Sequence, residues 1–189
     1  MSNPLLPGLQ LQPLPYHDRL PLRDADSLRM VVIHCTELPD LAMAREYGER
    51  VLYDSGAGNS GHFYIDRDGS VVQYVAPERI AHHVRGMNAD TVGIELVNTG
   101  RYPDWFDSRH QAMDEPYTEA QLDALEALLR ALVARYPSLR QIAGHDQLDL
   151  EQVPASDDPT LTVARKRDPG PLFPWARVLA KVPLQGLGE

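Results

Sequence analysis

The sequence predicts an α/β fold, a single domain in which one mixed central β-sheet is covered by helices. Three observations lead there. Short apolar runs suited to buried strands are interspersed with a few amphipathic stretches, they follow no regular βαβ rhythm, and 189 residues favour one core. Residues 1–27 carry Pro4, Pro7, Pro13, Pro15 and Pro21, which remove backbone donors and block helix, so this segment is expected to lie extended over a domain formed by residues 28–189.

Leu28 to Cys35, with Val31, Val32 and Ile33 at its centre, reads as a buried strand. Asp40 to Tyr53 has helical spacing, and Ser55 to Gly61 is a glycine-rich loop. His62–Ile65 and Val71–Val75 flank Asp66-Arg67-Asp68-Gly69, the pattern of a β-hairpin with Asp-Gly in the turn. Thr91–Val97 is a further strand. The clearest helix runs from Thr118 to Arg135: Thr118 and Gln121 form a capping box, and Leu122, Leu125, Leu129 and Leu132 give one apolar face before Pro137. Arg140–Gly144 reads as a strand, Leu148–Ala164 as a surface loop and Trp175–Val182 as a closing helix. No internal repeat is visible.

The composition narrows the function. A net charge of −9 argues against nucleic acid and anionic membranes as partners. No stretch approaches the roughly 20 apolar residues of a membrane span. The first 20 residues lack a basic n-region and a continuous apolar h-region, so the expected location is cytoplasmic, with a periplasmic or exported location the alternative if a leader has been trimmed. The single Cys35 excludes an internal disulfide framework and fits a reducing compartment.

Three distant segments each offer one group that zinc accepts: His34 in Ile33-His34-Cys35-Thr36, His145 in Ala143-Gly144-His145-Asp146, and Asp168 in Lys166-Arg167-Asp168-Pro169-Gly170-Pro171. Two imidazoles and a carboxylate leave a fourth position open for water, which is the pattern of a catalytic site, whereas structural sites are closed and often cysteine-rich. Taken singly, each has an ordinary explanation, a core histidine or a turn aspartate. Glu95 lies mid-strand, and alternation points it away from the face of Ile94 and Leu96. By the same argument Cys35, next to His34, points away from any metal and is expected to be a small buried filler. Gly56-Ala57-Gly58-Asn59-Ser60-Gly61 fits G-x-G-x-x-G, but it follows a helix and precedes a strand, the reverse of a dinucleotide site.

Together, Val32-Ile33-His34, Gly61-His62-Phe63-Tyr64-Ile65 with Asp68-Gly69, Asn88-Ala89-Asp90-Thr91-Val92-Gly93-Ile94-Glu95, Gly144-His145-Asp146 and Lys166-Arg167-Asp168-Pro169-Gly170-Pro171-Leu172-Phe173 resemble the zinc-dependent N-acetylmuramoyl-L-alanine amidases of the type 2 family. That family shares its fold with phage amidase lysozymes and peptidoglycan-recognition proteins. The resemblance runs from about residue 30 to Trp175 and covers most of the chain. It implies one zinc ion per chain, held by His34, His145 and Asp168. It implies Glu95 as proton acceptor and donor and Lys166 as stabiliser of the oxyanion. His62 and His83 fall where relatives place histidines lining the substrate groove. Arg85 and Asn88 are candidates for the stem-peptide carboxylates. A tyrosine commonly precedes the counterpart of His62 in the phage enzymes and animal proteins; Gly61 stands there in this chain, and Glu95 fills the matching need.

The activity implied is hydrolysis of the amide between the lactyl group of N-acetylmuramic acid and L-alanine, on peptidoglycan fragments. A non-catalytic muropeptide-binding module of the same fold is the alternative, although such modules typically lose a zinc ligand and this chain keeps all three. The short His83–Asn88 stretch and the long Leu148–Ala164 segment both border the expected groove, so intact and 1,6-anhydro forms of the sugar both remain open.

Overall fold

The computed structural model describes residues 5–187. Its strands are β1 (Gln10–Leu11), β2 (Met30–Cys35), β3 (Phe63–Ile65), β4 (Val71–Gln73), β5 (Thr91–Leu96), β6 (Gln141–Gly144), β7 (Gln152–Pro154), β8 (Thr162–Ala164) and β9 (Gln185–Gly186). The α-helices are α1 (Leu41–Glu49), α2 (Glu119–Arg135), α3 (His145–Leu148) and α4 (Trp175–Leu179). Seven strands form one mixed sheet in the order β1-β4-β3-β5-β2-β6-β9, and β7 pairs with β8 as a separate hairpin. Only the β3–β4 pair of the large sheet is antiparallel.

The central strands are covered on both faces, which suits their β-branched content. Val31, Ile33 and Cys35 of β2, Val92, Ile94 and Leu96 of β5, and Phe63 and Ile65 of β3 turn to one side, where they pack with Leu122, Leu125, Leu129 and Leu132 of α2. Period-2 alternation then sends His34, Glu95 and Tyr64 to the other side. Strand register sets these three in one row, Tyr64 opposite Glu95 and Glu95 opposite His34. The apolar face therefore stores the core while its reverse carries the polar groups.

Helix α2 is fastened at its start by the capping box. Thr118 Oγ1 accepts from the Gln121 N–H, and Gln121 Oε1 accepts from the Thr118 N–H, each at 3.1 Å. The Gln121 amide also donates to the Val97 carbonyl at 2.8 Å, and the Thr118 hydroxyl to that of Arg67 at 2.7 Å, tying the helix to β5 and the β3–β4 turn.

Four elements differ from the sequence expectations. The first helix stops at Glu49 and not at Tyr53, because the glycine loop packs onto its end. A Cβ on Gly58 would overlap the Arg50 carbonyl, and Leu52 and Tyr53 donate their N–H groups to Ala57 instead of continuing the helix. Leu148–Ala164 is no simple loop: it contains the β7–β8 hairpin. The closing helix ends at Leu179, and the chain turns to add β9 beside β6. The proline-rich segment contributes β1 to the sheet edge, and its Arg23 guanidinium donates to the carbonyls of Pro77, Asn88 and Thr91. Residues 1–4 of that segment lie outside the described residues. Among the described residues, no helix is long and apolar enough to cross a membrane.

Candidate metal and catalytic centre

His34 occupies the C-terminal half of β2, His145 opens α3 directly after β6, and Asp168 follows β8. These three side chains converge although they are far apart in the sequence. Nδ1 of His34 lies 2.9 Å from Oδ2 of Asp168, and Nδ1 of His145 lies 3.0 Å from the same oxygen. One ligand atom from each falls within 4.8 Å of the others, and all three residues are buried. Burial, then the neighbouring His145, lowers the His34 pKa to about 4, so its imidazole is neutral at pH 7, the form that binds metal. Burial opposes ionisation of Asp168, but His145 and the hydrogen bonds from both imidazoles hold it well below the usual carboxylate range.

These residues fit a divalent cation. Oδ1 of Asp168 and Nε2 of His145 are buried without a hydrogen-bond partner, an arrangement that buried polar groups otherwise avoid. The donor set of two imidazoles and one carboxylate matches zinc with an open position.

The local chain conformation that brings Asp168 here is built by packing. A Cβ on Gly144 would lie 2.8 Å from Pro169 Cδ, so glycine lets the Asp168-Pro169 segment approach β6. The Tyr117 hydroxyl donates to the Pro169 carbonyl at 2.7 Å. On the other side, Arg101 and Glu37 form a buried bidentate ion pair, with distances of 2.7 and 2.9 Å. Arg101 also donates to the Ala164 carbonyl at 2.9 Å, which fixes the approach to Lys166 and Asp168. Tyr117, Arg101 and Glu37 had no signal in the sequence; each acts through contacts between residues far apart in the chain.

Glu95 and Lys166 line the same groove as the three candidate ligands. Burial first, and then the Asp168 charge, pushes the Glu95 carboxyl well above its ordinary pKa, while Lys166 opposes the rise. A carboxyl so raised is suited to accept a proton and release it again. The Tyr64 hydroxyl, beside Glu95 in register, contacts Ser60 Oγ and accepts from the Gly61 N–H, each at 3.2 Å.

Gly61 has a steric reason. A Cβ at this position would stand 2.8 Å from Glu95 Cγ, so a large side chain at 61 and the carboxylate at 95 exclude each other. Gly61→Tyr is therefore expected to displace Glu95 and lower turnover about a hundredfold or more, while metal binding persists. Zinc titration beside activity measurement checks this.

The groove has a volume of about 1010 Å³. Tyr53, His82, Trp105, Phe106, Val153 and Pro154 are among its lining residues, so β7 contributes to the lining as its position in the sequence suggested. Cys35 is buried in the core beside α2, as alternation predicts.

One groove expectation is corrected. His62 is fully buried behind β5: its Nδ1 accepts from the Gly93 N–H at 3.0 Å, and its Nε2 lies 3.1 Å from the Arg79 carbonyl. It braces the sheet and leaves no face for substrate. Asn88 lines the groove, its Oδ1 accepting from the N–H groups of His83 and Val84 at 3.0 and 2.8 Å. Arg85 is exposed in the groove and bonds Glu151 at 2.6 Å, so a substrate carboxylate would compete with Glu151 for it. His83 lines the groove, yet its Nδ1 lies 3.0 Å from Nε2 of His34 and its Nε2 3.2 Å from Thr91 Oγ1.

The chain is similar to known proteins. The family profile described as N-acetylmuramoyl-L-alanine amidase matches residues 24–171. The chain is 29% identical to the 1,6-anhydro-N-acetylmuramyl-L-alanine amidase AmpD of Citrobacter freundii, over 90% of this chain and 88% of that protein. It is 33% identical to the N-acetylmuramoyl-L-alanine amidase AmiD of Escherichia coli (strain K12), over 61% of this chain and 38% of that one. A solved structure of a selenomethionine AmpD derivative superposes with a TM-score of 0.67 at 26% identity, covering 94% of this chain and 96% of the other.

Proposed function

Because the chain belongs to the N-acetylmuramoyl-L-alanine amidase family, we propose that it is a zinc-dependent hydrolase of the amide joining the lactyl group of N-acetylmuramic acid to L-alanine. The observation that carries this reading is the pairing of Glu95 with His34 across β5 and β2, beside the converging His145 and Asp168. His34, His145 and Asp168 would hold the ion. Zinc supplies Lewis-acid polarisation and lowers the pKa of water to roughly 7.

The protein's own groups do the rest. Glu95 accepts the proton of the water that attacks the amide carbonyl and delivers it to the departing alanine nitrogen. Lys166 places its ammonium where negative charge develops on the carbonyl oxygen. Arg85 receives a carboxylate of the stem peptide, displacing Glu151. Residues 28–189 form the catalytic unit and residues 1–27 its arm. The retained ligands, together with Glu95 and Lys166, favour an enzyme over a muropeptide-binding module.

The substrate is a soluble peptidoglycan fragment with a 1,6-anhydro sugar, turned over in cytoplasmic recycling. Similarity to AmpD over most of both chains supports this form. The test compares zinc-loaded protein on anhydro-muropeptide and on intact sacculi, with released L-alanine peptides measured by mass spectrometry. The soluble fragment is expected to react at least about tenfold faster, a difference of about 1.4 kcal/mol in transition-state binding. Equal or faster release from sacculi removes the recycling role but leaves the amidase.

A further inference from the structure

His83 lines the groove and was expected to touch substrate, but both of its ring nitrogens are spent inside the protein. A chain of hydrogen-bonding groups runs from the centre into the backbone. Nε2 of His34 is 3.0 Å from Nδ1 of His83, Nε2 of His83 is 3.2 Å from Thr91 Oγ1, and the Thr91 hydroxyl donates to the Met87 carbonyl at 2.8 Å. Asp168 Oδ2 and the Met87 carbonyl, at the two ends, both only accept; with a cation in place of the proton between His34 Nδ1 and Asp168, the Met87 end would fix the direction of the whole chain. The Thr91 proton goes to Met87, leaving Oγ1 to accept from His83 Nε2–H. His83 Nδ1 is then bare and accepts from His34 Nε2–H. A neutral imidazole carries one N–H, so the proton on Nε2 leaves Nδ1 of His34 bare. That is the nitrogen turned toward Asp168 Oδ2 and His145.

The chain is built closely. A Cβ on Gly93 would stand 2.7 Å from the His83 ring, so only glycine lets the ring lie against β5. Thr91 is fully buried, and Asn88 Oδ1 holds the His83 backbone from the other side. We propose that His83, through Thr91 and the Met87 carbonyl, is a positioning residue that sets the tautomer of His34 and presents its Nδ1 to the metal. Outer partners of this kind commonly change metal affinity 10–100-fold. The inference rests on the zinc reading above.

The test measures zinc affinity by chelator competition, together with KM and kcat, for three variants. His83→Phe keeps the ring volume and removes the acceptor; it is expected to weaken zinc binding about 10–100-fold and leave KM for the muropeptide unchanged. His83→Asn returns an oxygen near the place of Nδ1 and should recover most of the affinity. Thr91→Val, similar in shape, releases the far end of the chain and should weaken zinc binding by a smaller factor, which keeps the test open if His83→Phe does not fold. Unchanged zinc affinity in His83→Phe and Thr91→Val, or a raised KM with affinity intact, overturns the proposal and returns His83 to substrate contact. Failure of the unaltered protein to bind zinc sinks the metal reading itself, a separate outcome.

Discussion

Glu95→Gln is expected to keep zinc and lose about 10²–10⁴ of the turnover rate, the usual contribution of a positioned general acid–base. The substitution preserves volume, so neither the fit against Gly61 nor the row formed with Tyr64 and His34 is disturbed. What is lost is the ability to take a proton. Glu95 contributes no ligand atom to the candidate metal cluster, so chelator competition should return the original affinity. KM should also move little, since the amide group serves no worse as a surface for the substrate. Turnover retained within about threefold would remove Glu95 from proton transfer.

The other large effect is expected at His145, whose replacement by Ala should abolish both metal binding and turnover. The side chain is buried and supplies one of the three candidate ligands found among the described residues. Its loss should weaken zinc binding by more than the 10–100-fold typical of outer partners. The protein should still fold, because the core beside α2 lies on the opposite face of the sheet. Circular dichroism combined with zinc competition separates the two effects: native spectra with no zinc uptake are expected. Zinc affinity close to that of the unaltered protein would exclude His145 as a ligand.

The contrast between these variants follows from the architecture. Strand alternation, read from Val31-Val32-Ile33-His34 and from Val92-Gly93-Ile94-Glu95, already separates a core face from a polar face. The capping box at Thr118 and the Asp-Gly turn at Gly69 were legible for the same reason: each is a local rule with a near-neighbour cause. The end of α1 was not legible, since Gly58 packs against it from eight residues away. The β7–β8 hairpin was hidden because Leu148–Ala164 lacks a clear alternating run.

The centre divides in the same way. His34, Glu95, His145, Lys166 and Asp168 sit in short segments with recognisable patterns. His62 looked like a groove residue because it stands beside such a segment, yet its ring turns to backbone groups that no sequence pattern reveals. The Arg101–Glu37 pair, which holds the Ala164 carbonyl, joins residues 64 positions apart and left no trace in the sequence.

The most direct test of the centre is a zinc titration of chelator-stripped protein, followed by release of L-alanine peptide from anhydro-muropeptide. The predicted result is no release without metal and full activity at one zinc per chain. A stripped protein that cleaves at its full rate, or one that stays inactive at every zinc concentration, would contradict a metal amidase built on His34, His145 and Asp168.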